Sequence, residues 1–334
     1  MQSKLVVTRK GASPMKKCLV TGATGYIGSR IIRELQNDMQ ITALVRNVDK
    51  ATKMLPQGVN YIQADLEDAQ TLKNVTDEYT YAIHCAAITK SKDMKVHPVE
   101  VVKSIVNTTQ NIMEVALRCK AQSVVVLSSM EIYGYVENEK EQRTSEDAVK
   151  GEIDLLNVRS CYPLAKRMAE NICFDYWQEY GVPVKIARLA QTFGTGILPE
   201  ENRVFAQFAR SVIKNQDIVL HTDGTSMGNY CGIDDAIKGI LLLLEKGENG
   251  EAYNIVNEQN TMTIRQMAEL VADKIAGGKI SVCYDIPKEN IYGYAANTGL
   301  QLSAQKMCKL GWSPQESLEK MFWDVIDTMK DFES

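Results

Sequence analysis

Residues 18–28 read Cys-Leu-Val-Thr-Gly-Ala-Thr-Gly-Tyr-Ile-Gly, an apolar run that ends in three glycines spaced three apart. Apolar residues then recur at helical spacing through Leu35. The first glycine permits a sharp turn, the second lets backbone approach a pyrophosphate, and the third lets the helix pack on the strand. Free N–H groups at the helix N-terminus then bind the phosphates. This context favours a dinucleotide site over a turn that binds nothing, and its candidate cofactor-binding residues are Gly22, Thr24, Gly25, Tyr26, Ile27 and Gly28.

The composition of the 334-residue chain is that of an ordinary globular protein, with 45% hydrophobic and 24% charged residues. Its length suggests about two domains, or one large α/β unit with an added lobe. A net charge of -4 gives no sign of a nucleic-acid or membrane partner, and no apolar run approaches the ~20 residues that span a bilayer. The eight cysteines follow no disulfide-scaffold spacing and form no cluster with the three histidines. We therefore expect a cytoplasmic protein without a metal site.

Strand-like and helical patterns alternate through the first half of the chain. This alternation is typical of an α/β fold with a Rossmann-type doubly wound parallel sheet, whose strand carboxyl ends form the ligand-binding edge. Predicted strands cover residues 17–21, 40–45, 59–63, 80–85, 122–128 and 183–188. Predicted helices cover residues 26–37, 48–54, 68–76, 97–118, 160–180, 201–214, 233–246, 263–276 and 315–330.

After the sixth predicted strand the alternation becomes irregular, which indicates a smaller C-terminal substrate lobe. We expect the dinucleotide-binding domain to comprise residues 16–188 and 229–257, and the substrate lobe to comprise residues 189–228 and 258–330. Residues 1–15 lack the apolar stretch of a signal peptide and are expected to form a disordered tail.

A Tyr-x-x-x-Lys pattern opens the predicted helix 160–180, with Tyr162 and Lys166 one turn apart on the same face. A nearby ammonium stabilises the phenolate and lowers a phenol pKa of about 10. Tyr162 would then be usable as an acid or base near neutral pH. Ser129 follows the predicted strand 122–128 and would lie at the same edge of the sheet, where it could hydrogen-bond the same substrate oxygen.

Candidate cofactor contacts also follow the second, third and fourth predicted strands. Ala86 and Ala87 are small residues that would let backbone lie against the cofactor. Asp65, with Leu66, would accept a hydrogen bond from an adenine amino group or cap the next helix. Arg46 lies 18 residues beyond the last glycine, where an acid usually selects NAD. An arginine there favours the 2′-phosphate of NADP, unless it merely stacks on adenine and leaves NAD acceptable.

Together these motifs resemble the extended short-chain dehydrogenase/reductase family, specifically its nucleotide-sugar epimerases and dehydratases. The resemblance covers about residues 16–328 and rests on segments 21–28, 65–66, 84–87, 128–134, 162–166, 188–194 and 224–235. It implies a tightly held nicotinamide cofactor, NAD or NADP, and a nucleoside-diphosphate sugar as substrate. It also implies that Tyr162 takes the proton of the sugar 4-hydroxyl while the hydride goes to the cofactor. Lys166 would tune Tyr162 and hold the nicotinamide ribose, and Ser129 would orient the hydroxyl.

Two glycines depart from the family's pattern. Many relatives carry an arginine, which binds the diphosphate as a bidentate donor, where this chain has Gly228, and a tyrosine where it has Gly232. The resemblance still predicts substrate contacts from Arg203, from Asn229, and from Gln191, which stands where asparagine is usual.

The dipeptide Met130-Glu131 bears on the type of reaction. In the 4,6-dehydratases of the family that this chain resembles, these two positions are Asp-Glu, and in its decarboxylases they are Ser-Glu. Glu131 could remove the proton on C5. Met130 has no acidic proton for a departing 6-hydroxyl. We therefore predict an epimerase that acts through transient oxidation at C4, with a dehydratase or decarboxylase that uses Glu131 as the alternative. Two further hypotheses remain. Glu131 could only accept a hydrogen bond from a nearby backbone donor, or the protein could be a non-catalytic NAD(P)-binding sensor or scaffold.

The predicted helices 97–118 and 160–180 carry apolar residues on more than one face. Extra apolar surface on a helix is usually buried by another partner. The resemblance suggests a homodimer in which these helices form a two-fold four-helix arrangement, with Ile105 at the interface. The alternative is a monomer whose substrate lobe covers the surplus surface.

Overall fold

The computed structural model describes residues 15–136, 142–287 and 297–333. The predicted disordered tail therefore lies outside the described residues, apart from Met15, which is exposed. Within the described ranges, no helix is both long and apolar enough to cross a membrane. No three His, Cys, Asp or Glu side chains in these ranges meet in a group that could hold a metal ion.

A single parallel sheet organises the molecule. The strands are β1 (Lys17–Thr21), β2 (Gln40–Val45), β3 (Asn60–Gln63), β4 (Tyr81–His84), β5 (Ser123–Ser129), β6 (Val184–Leu189), β7 (Gln191–Phe193), β8 (Ile218–Leu220), β9 (Met227–Gly228), β10 (Tyr230–Gly232), β11 (Ala252–Ile255), β12 (Met262–Thr263) and β13 (Val282–Tyr284). Seven of them form the sheet in the order β11-β6-β5-β4-β1-β2-β3, and all their pairings are parallel. The predicted α/β fold is confirmed. β11 was not predicted, because the polar Asn254 interrupts the apolar run that marks a buried parallel strand.

Eight of the nine predicted helices form close to their predicted positions, and two short helices, Ser91–Val96 and Gln305–Lys309, were not predicted. The helices are α1 (Tyr26–Leu35), α2 (Val48–Met54), α3 (Ser91–Val96), α4 (Pro98–Arg118), α5 (Cys161–Tyr180), α6 (Val204–Lys214), α7 (Ile233–Lys246), α8 (Ile264–Leu270), α9 (Gln305–Lys309) and α10 (Leu318–Glu333). The predicted helix 68–76 is wrong, since only a 3-10 turn forms at Thr71–Asn74. Asp65 and Asp68 accept hydrogen bonds from backbone N–H groups two residues ahead, and such local bonds compete with those of a helix.

The two faces of the sheet are covered by separate hydrophobic cores. Cys18 and Val20 of β1 point into the core beneath α1 and α7, whereas Leu19 points into the core beneath α4 and α5. Alternate residues of a strand point to opposite faces, so strands covered on both sides are continuous apolar runs. A third core gathers around α6, α8 and α10 and contains Phe205 and Phe322.

Two carboxylates join the N-terminus of α7 to the segment before α10. Glu316 Oε2 accepts from the N–H groups of Asp234 (3.0 Å) and Asp235 (3.2 Å). In return, Asp235 Oδ2 accepts from the N–H groups of Gln315 and Glu316, both at 2.7 Å. A Cβ at Gly232 would lie 2.0 Å from Glu316 Oε2. The glycine that replaces the family's tyrosine is therefore required by this reciprocal cap, which satisfies otherwise unpaired N–H groups.

Candidate active site

The glycine turn between β1 and α1 has room for backbone but not for side chains. Gly22 has a φ of 64°, and a Cβ on it would lie 2.7 Å from Ala86 N. A Cβ on Gly28 would lie 2.3 Å from Gly22 O. Gly25 begins α1 without a side-chain cap, and the first turn of α1 contains no acidic residue. The first N–H groups of α1 thus meet no competing anion, which fits the pyrophosphate of a dinucleotide.

The other predicted residues of this turn differ in their surroundings. Thr24 is half-buried in the turn between the glycines. The phenol of Tyr26 donates to the carbonyl oxygen of Thr195 (3.3 Å) and so ties α1 to the loop after β7. Ile27 packs against the core beneath α1. Thr24 therefore differs from Tyr26, which is held by a hydrogen bond, and from Ile27, which is held by core packing.

Arg46, Asp65 and Leu66 follow the carboxyl ends of β2 and β3. Asp65 Oδ1 accepts from the N–H of Glu67 (3.0 Å) in a local turn, and the helix that Asp65 was expected to cap, as the alternative to binding adenine, does not form. The Leu66 carbonyl accepts from Asn111 Nδ2 (2.8 Å). Arg46 is exposed. Burial and then the Asp65 carboxylate raise the pKa of Glu67, whereas Arg46 lowers it, so Arg46 lies beside acidic groups.

Tyr162 lies in the first turn of α5, where the following proline is tolerated because early helical N–H groups need no intrahelical partner. Its side chain is buried, and Ser129, the last residue of β5, lies close enough to its phenol to lower the phenol pKa. Apolar neighbours come from α3, α4 and the loop after β4: Met94, Val101, Ile105 and Ala87. The structure thus brings together the two hydroxyls that the sequence predicted at one edge of the sheet.

Lys166 does not dominate the ionisation of Tyr162 in the way that its spacing predicted. Burial raises the pKa of Tyr162 above its usual value, and the Glu131 carboxylate raises it further. Lys166 Nζ instead donates to the Leu127 carbonyl (2.7 Å). Burial lowers the pKa of Lys166 to about 8, against the opposing effect of Glu170 one turn along α5. Because desolvation disfavours the charged form of both groups, burial outweighs the phenolate stabilisation expected from the sequence.

Lys166 also connects α5 with the end of β4. Burial and then the Lys166 ammonium lower the pKa of His84 to about 3, so His84 is neutral. Its two ring nitrogens are hydrogen-bonded to threonine hydroxyls, which gives it a structural role. Two residues further on, Ala86 packs against Gly22. Lys166 therefore lies between Tyr162 and the glycine turn.

The Glu131 carboxylate is bound by Arg159, which carried no predicted role. Arg159 Nη1 donates to Glu131 Oε2 (2.8 Å) and Nη2 donates to Oε1 (3.0 Å), a bidentate pair. The carboxylate is thus held by this guanidinium, whereas the sequence offered a backbone donor as a possible partner. It is the Glu131 N–H that donates, to Ser129 Oγ (3.2 Å). Arg159 stands just before the N-terminus of α5, where the helix dipole disfavours a positive charge. Its position was therefore a sequence signal that Arg159 has an acidic partner.

Two of the three predicted substrate residues border the space around Tyr162 or its edge of the sheet. Gln191 begins β7 and is half-buried. Arg203 lies at the N-terminal end of α6, with its side chain 41% exposed. The guanidinium of Arg203 is bound by both carboxylate oxygens of Glu201 (2.6 and 3.0 Å). Arg203 also lowers the pKa of Tyr162, so its charge acts on the same space.

Asn229, the third predicted substrate residue, has a structural role instead. It is fully buried, its Nδ2 donates to the Leu300 carbonyl (2.7 Å), and its Oδ1 accepts from the Leu302 N–H (2.8 Å). It has no exposed atom with which to contact a substrate. At the neighbouring Gly228, a Cβ would lie 2.3 Å from Tyr230 Oη, and Tyr230 is itself fully buried. Packing around Tyr230 therefore explains why no arginine stands at position 228.

A comparison with known protein families identifies the family of the chain. The family model of the NAD dependent epimerase/dehydratase family matches residues 18–256, more than half of the chain. The chain belongs to the NAD-dependent epimerase/dehydratase family, and the predicted resemblance is confirmed. The fold and the glycine turn thus define a member of an NAD-dependent enzyme family.

One curated relative and two solved structures illustrate what the chain is similar to. UDP-glucuronic acid decarboxylase 6 of Arabidopsis thaliana is 27% identical over 261 residues, which cover 78% of this chain and 74% of that protein. The solved UDP-glucose 4-epimerase of Thermotoga maritima, with UDP-glucose, has a TM-score of 0.82 at 22% identity and covers 95% of this chain and 100% of its own. The UDP-glucuronic acid 4-epimerase of Bacillus cereus, in complex with UDP-glucuronic acid and NAD, has a TM-score of 0.76 at 20% identity and covers 95% and 99%. These two structures show that the fold is shared.

The contact between Gly22 and Ala86 predicts that Gly22→Ala loses both stability and NAD binding. Gly58 provides the matched control, because it has a φ of 89° and a Cβ there would meet nothing within 4 Å. Both variants strain left-handed backbone by about 1–2 kcal/mol, but only Gly22→Ala adds the collision with Ala86. Thermal unfolding and a fluorescence titration with NAD measure the two effects. Equal destabilisation of both variants with unchanged NAD affinity would contradict this assignment.

Proposed function

We propose that this protein epimerises a nucleoside-diphosphate sugar by transient oxidation at C4. The observation that carries the proposal is that the hydroxyls of Tyr162 and Ser129 lie close together at the sheet edge that also holds the glycine turn. A sugar hydroxyl bound between these two groups can exchange a proton with Tyr162 while Ser129 fixes its orientation. Membership of an NAD-dependent family supports the oxidation step.

In this mechanism, Tyr162 takes the proton of the 4-hydroxyl and later returns it to the same oxygen. A bound NAD would supply the hydride chemistry at C4, and transfer to one face of the sugar followed by return to the other would invert the carbon. Ser129 orients the hydroxyl, and Lys166 holds the nicotinamide ribose. The glycine turn, Thr24 and the alanines after β4 would hold the pyrophosphate and the rest of the cofactor.

We assign the sugar nucleotide to the lobe of residues 189–228 and 258–330. Arg203 is the arginine with a partly exposed guanidinium near Tyr162, and a diphosphate could replace Glu201 as its bidentate partner. Gln191 begins the strand next to this space and would donate its amide to the phosphates. The positions that many relatives use, at residues 228 and 229, are occupied by packing in this chain.

The surroundings of Glu131 favour epimerisation over dehydration. Both oxygens of Glu131 accept hydrogen bonds from Arg159, which stabilises the ionised carboxylate and makes it a weaker base for the C5 proton. Dehydration also needs an acid for the departing 6-hydroxyl, and the thioether of Met130 has no acidic proton. The groups required for 4,6-dehydration are therefore not assembled at this position.

Decarboxylation of a nucleotide-linked uronic acid is the second candidate, because the Arabidopsis relatives are UDP-glucuronic acid decarboxylases. Oxidation at C4 turns such a sugar into a β-keto acid, which loses CO₂ without removal of a C5 proton. A non-catalytic NAD-binding sensor is the alternative of another class. Incubation with UDP-, GDP-, CDP- and dTDP-sugars, including UDP-glucuronic acid, followed by NMR of the products, separates the three. An inverted C4, a pentose with CO₂, or unchanged sugars would be the respective results.

Replacing the proton-transfer group tests the mechanism directly. Tyr162→Phe should lower turnover by several orders of magnitude while NAD binding and the unfolding temperature stay close to wild type, because only the phenolic oxygen is removed. Tyr135→Phe is the matched control, since Tyr135 is 55% exposed and follows the same turn after β5. Turnover is measured by NMR of the epimerised sugar. A Tyr162→Phe enzyme as active as the control would refute the role of Tyr162.

We propose NAD as the preferred cofactor, although Arg46 by itself predicts NADP. Glu67 lies within electrostatic range of Asp65 and Arg46, since burial and then Asp65 raise the Glu67 pKa while Lys103 and then Arg46 lower it. The negative charges of Asp65 and Glu67 would oppose a 2′-phosphate. Titration of the apo-protein should show NAD binding at least as tightly as NADP, and Glu67→Gln should improve NADP binding selectively. Tighter binding of NADP by the wild type would reverse this assignment.

We propose a homodimer formed through α4 and α5. Exposed apolar side chains on these helices and the helix before α4 support it: Val96, Val99, Val102, Met168 and Phe174. Ile105, the interface residue predicted from the sequence, is 1% exposed within the single chain, so it packs inside the subunit. The interface is therefore better tested at Val102.

Val102→Glu should halve the mass measured by light scattering, because the dimer would have to bury an unpaired carboxylate. Val219→Glu, at a 45% exposed position on β8, is the matched control and should leave the mass unchanged. A wild-type mass near the 37.3 kDa of one chain would rule out the dimer.

A further inference from the structure

Arg159 and Glu131 flank Tyr162 from two different elements. Glu131 belongs to the 3-10 turn Met130–Tyr133, whose first N–H groups are capped by Ser129. Arg159 belongs to the 3-10 turn Val158–Ser160, which runs directly into α5. Their side chains are only 29% and 20% exposed, and their two parallel hydrogen bonds fix the relative position of both charges. A partly buried pair of this geometry is screened much less than a surface pair.

The charged groups around Tyr162 come from three directions. Burial and then Glu131 raise the pKa of Tyr162, while the Ser129 hydroxyl and the charges of Arg203 and Arg159 lower it. Lys166 lies one turn along α5, with its ammonium on the Leu127 carbonyl. The remaining elements against the ring, α3 and α4, present apolar side chains: Met94, Val101 and Ile105. Glu131 is therefore the main anion acting on the phenol, and Arg159 is its fixed counter-charge.

We propose that Glu131 and Arg159 are a pair of positioning residues with opposite charges that governs when Tyr162 can accept the substrate proton, and that Glu131 is not a base for the sugar. The inference rests on the proposed role of Tyr162. Removal of the carboxylate leaves an unpaired guanidinium beside the phenol, which favours the phenolate. Removal of the guanidinium leaves an unpaired carboxylate there, which disfavours the phenolate. The two single variants should therefore act in opposite directions, and the double variant should lie between them.

The first test is the pH dependence of kcat/KM, whose ascending limb follows ionisation of Tyr162. In Glu131→Gln the limb should move to lower pH, by about one unit, and in Arg159→Gln it should move to higher pH by a similar amount. Glu131→Gln combined with Arg159→Gln should return it towards wild type. Arg159→Lys keeps the charge but loses the bidentate geometry, so its limb should move less than that of Arg159→Gln. Glu78→Gln removes one partner of an exposed ion pair with Lys120 and should leave the limb unmoved.

A second measurement needs neither sugar nor turnover. The ultraviolet absorbance of the phenolate is titrated for each variant and for the same variant carrying Tyr162→Phe, and the difference reports Tyr162 alone. If this titration shifts in the variants but the protein epimerises no sugar, the inference about Glu131 and Arg159 stands and the proposed function is refuted.

Two outcomes would overturn the inference while the proposed function stands. One is an active enzyme whose pH limb and phenolate titration move in neither variant. The other is a Glu131→Gln enzyme that reduces NAD but yields no product, because a missing C5 base would stop the reaction after the oxidation. A thermal unfolding curve for each variant separates these outcomes from a loss of folding, and Arg159→Lys supplies the folded comparison.

Discussion

The contact between the glycine turn and the end of β4 constrains the rest of the site. A Cβ on Gly28 would lie 2.3 Å from Gly22 O, and one on Gly22 would lie 2.7 Å from Ala86 N. Backbone therefore packs directly on backbone, and this holds α1 against β1 and β1 against β4. Because all strands of the sheet are parallel, their carboxyl ends share one edge. Ser129, at the end of β5 next to β4, reaches the same edge as the glycine turn.

A buried network of hydrogen bonds holds α5 against β5 and β6. Arg188 of β6 donates to Glu170 of α5 (2.8 Å) and to the hydroxyl of Tyr133 (3.0 Å), and Tyr133 donates to Asn254 of β11 (2.7 Å). Ser128 of β5 also donates to Glu170. Buried charges are tolerated only when they are paired and hydrogen-bonded, so this network allows α5 few alternative positions. Lys166, one turn before Glu170, is oriented by the same packing.

Much of the fold could be predicted from local sequence patterns. The strands β1 to β6 and the helices α1, α2, α4 and α5 lie within a few residues of the predicted spans. The exception at 68–76 arose because Asp65 and Asp68 bind the backbone that a helix would have used. Ile105 shows a second limit, since apolar spacing on α4 cannot tell whether a residue faces another chain or a neighbouring helix of the same chain.

The sequence by itself determined the glycine turn, the parallel sheet and the positions of Tyr162, Lys166 and Ser129, because these depend on residues close together in the chain. Tertiary structure decided what each charged or polar group binds. Glu131 and Arg159 lie 28 residues apart in the chain, yet they form one bidentate pair, while Asn229 is bound by a segment 71 residues away. Burial, which no local pattern reveals, also set the direction of the Tyr162 pKa. Desolvation and long-range pairing depend on how distant segments pack, so only the folded chain defines the electrostatics of the site.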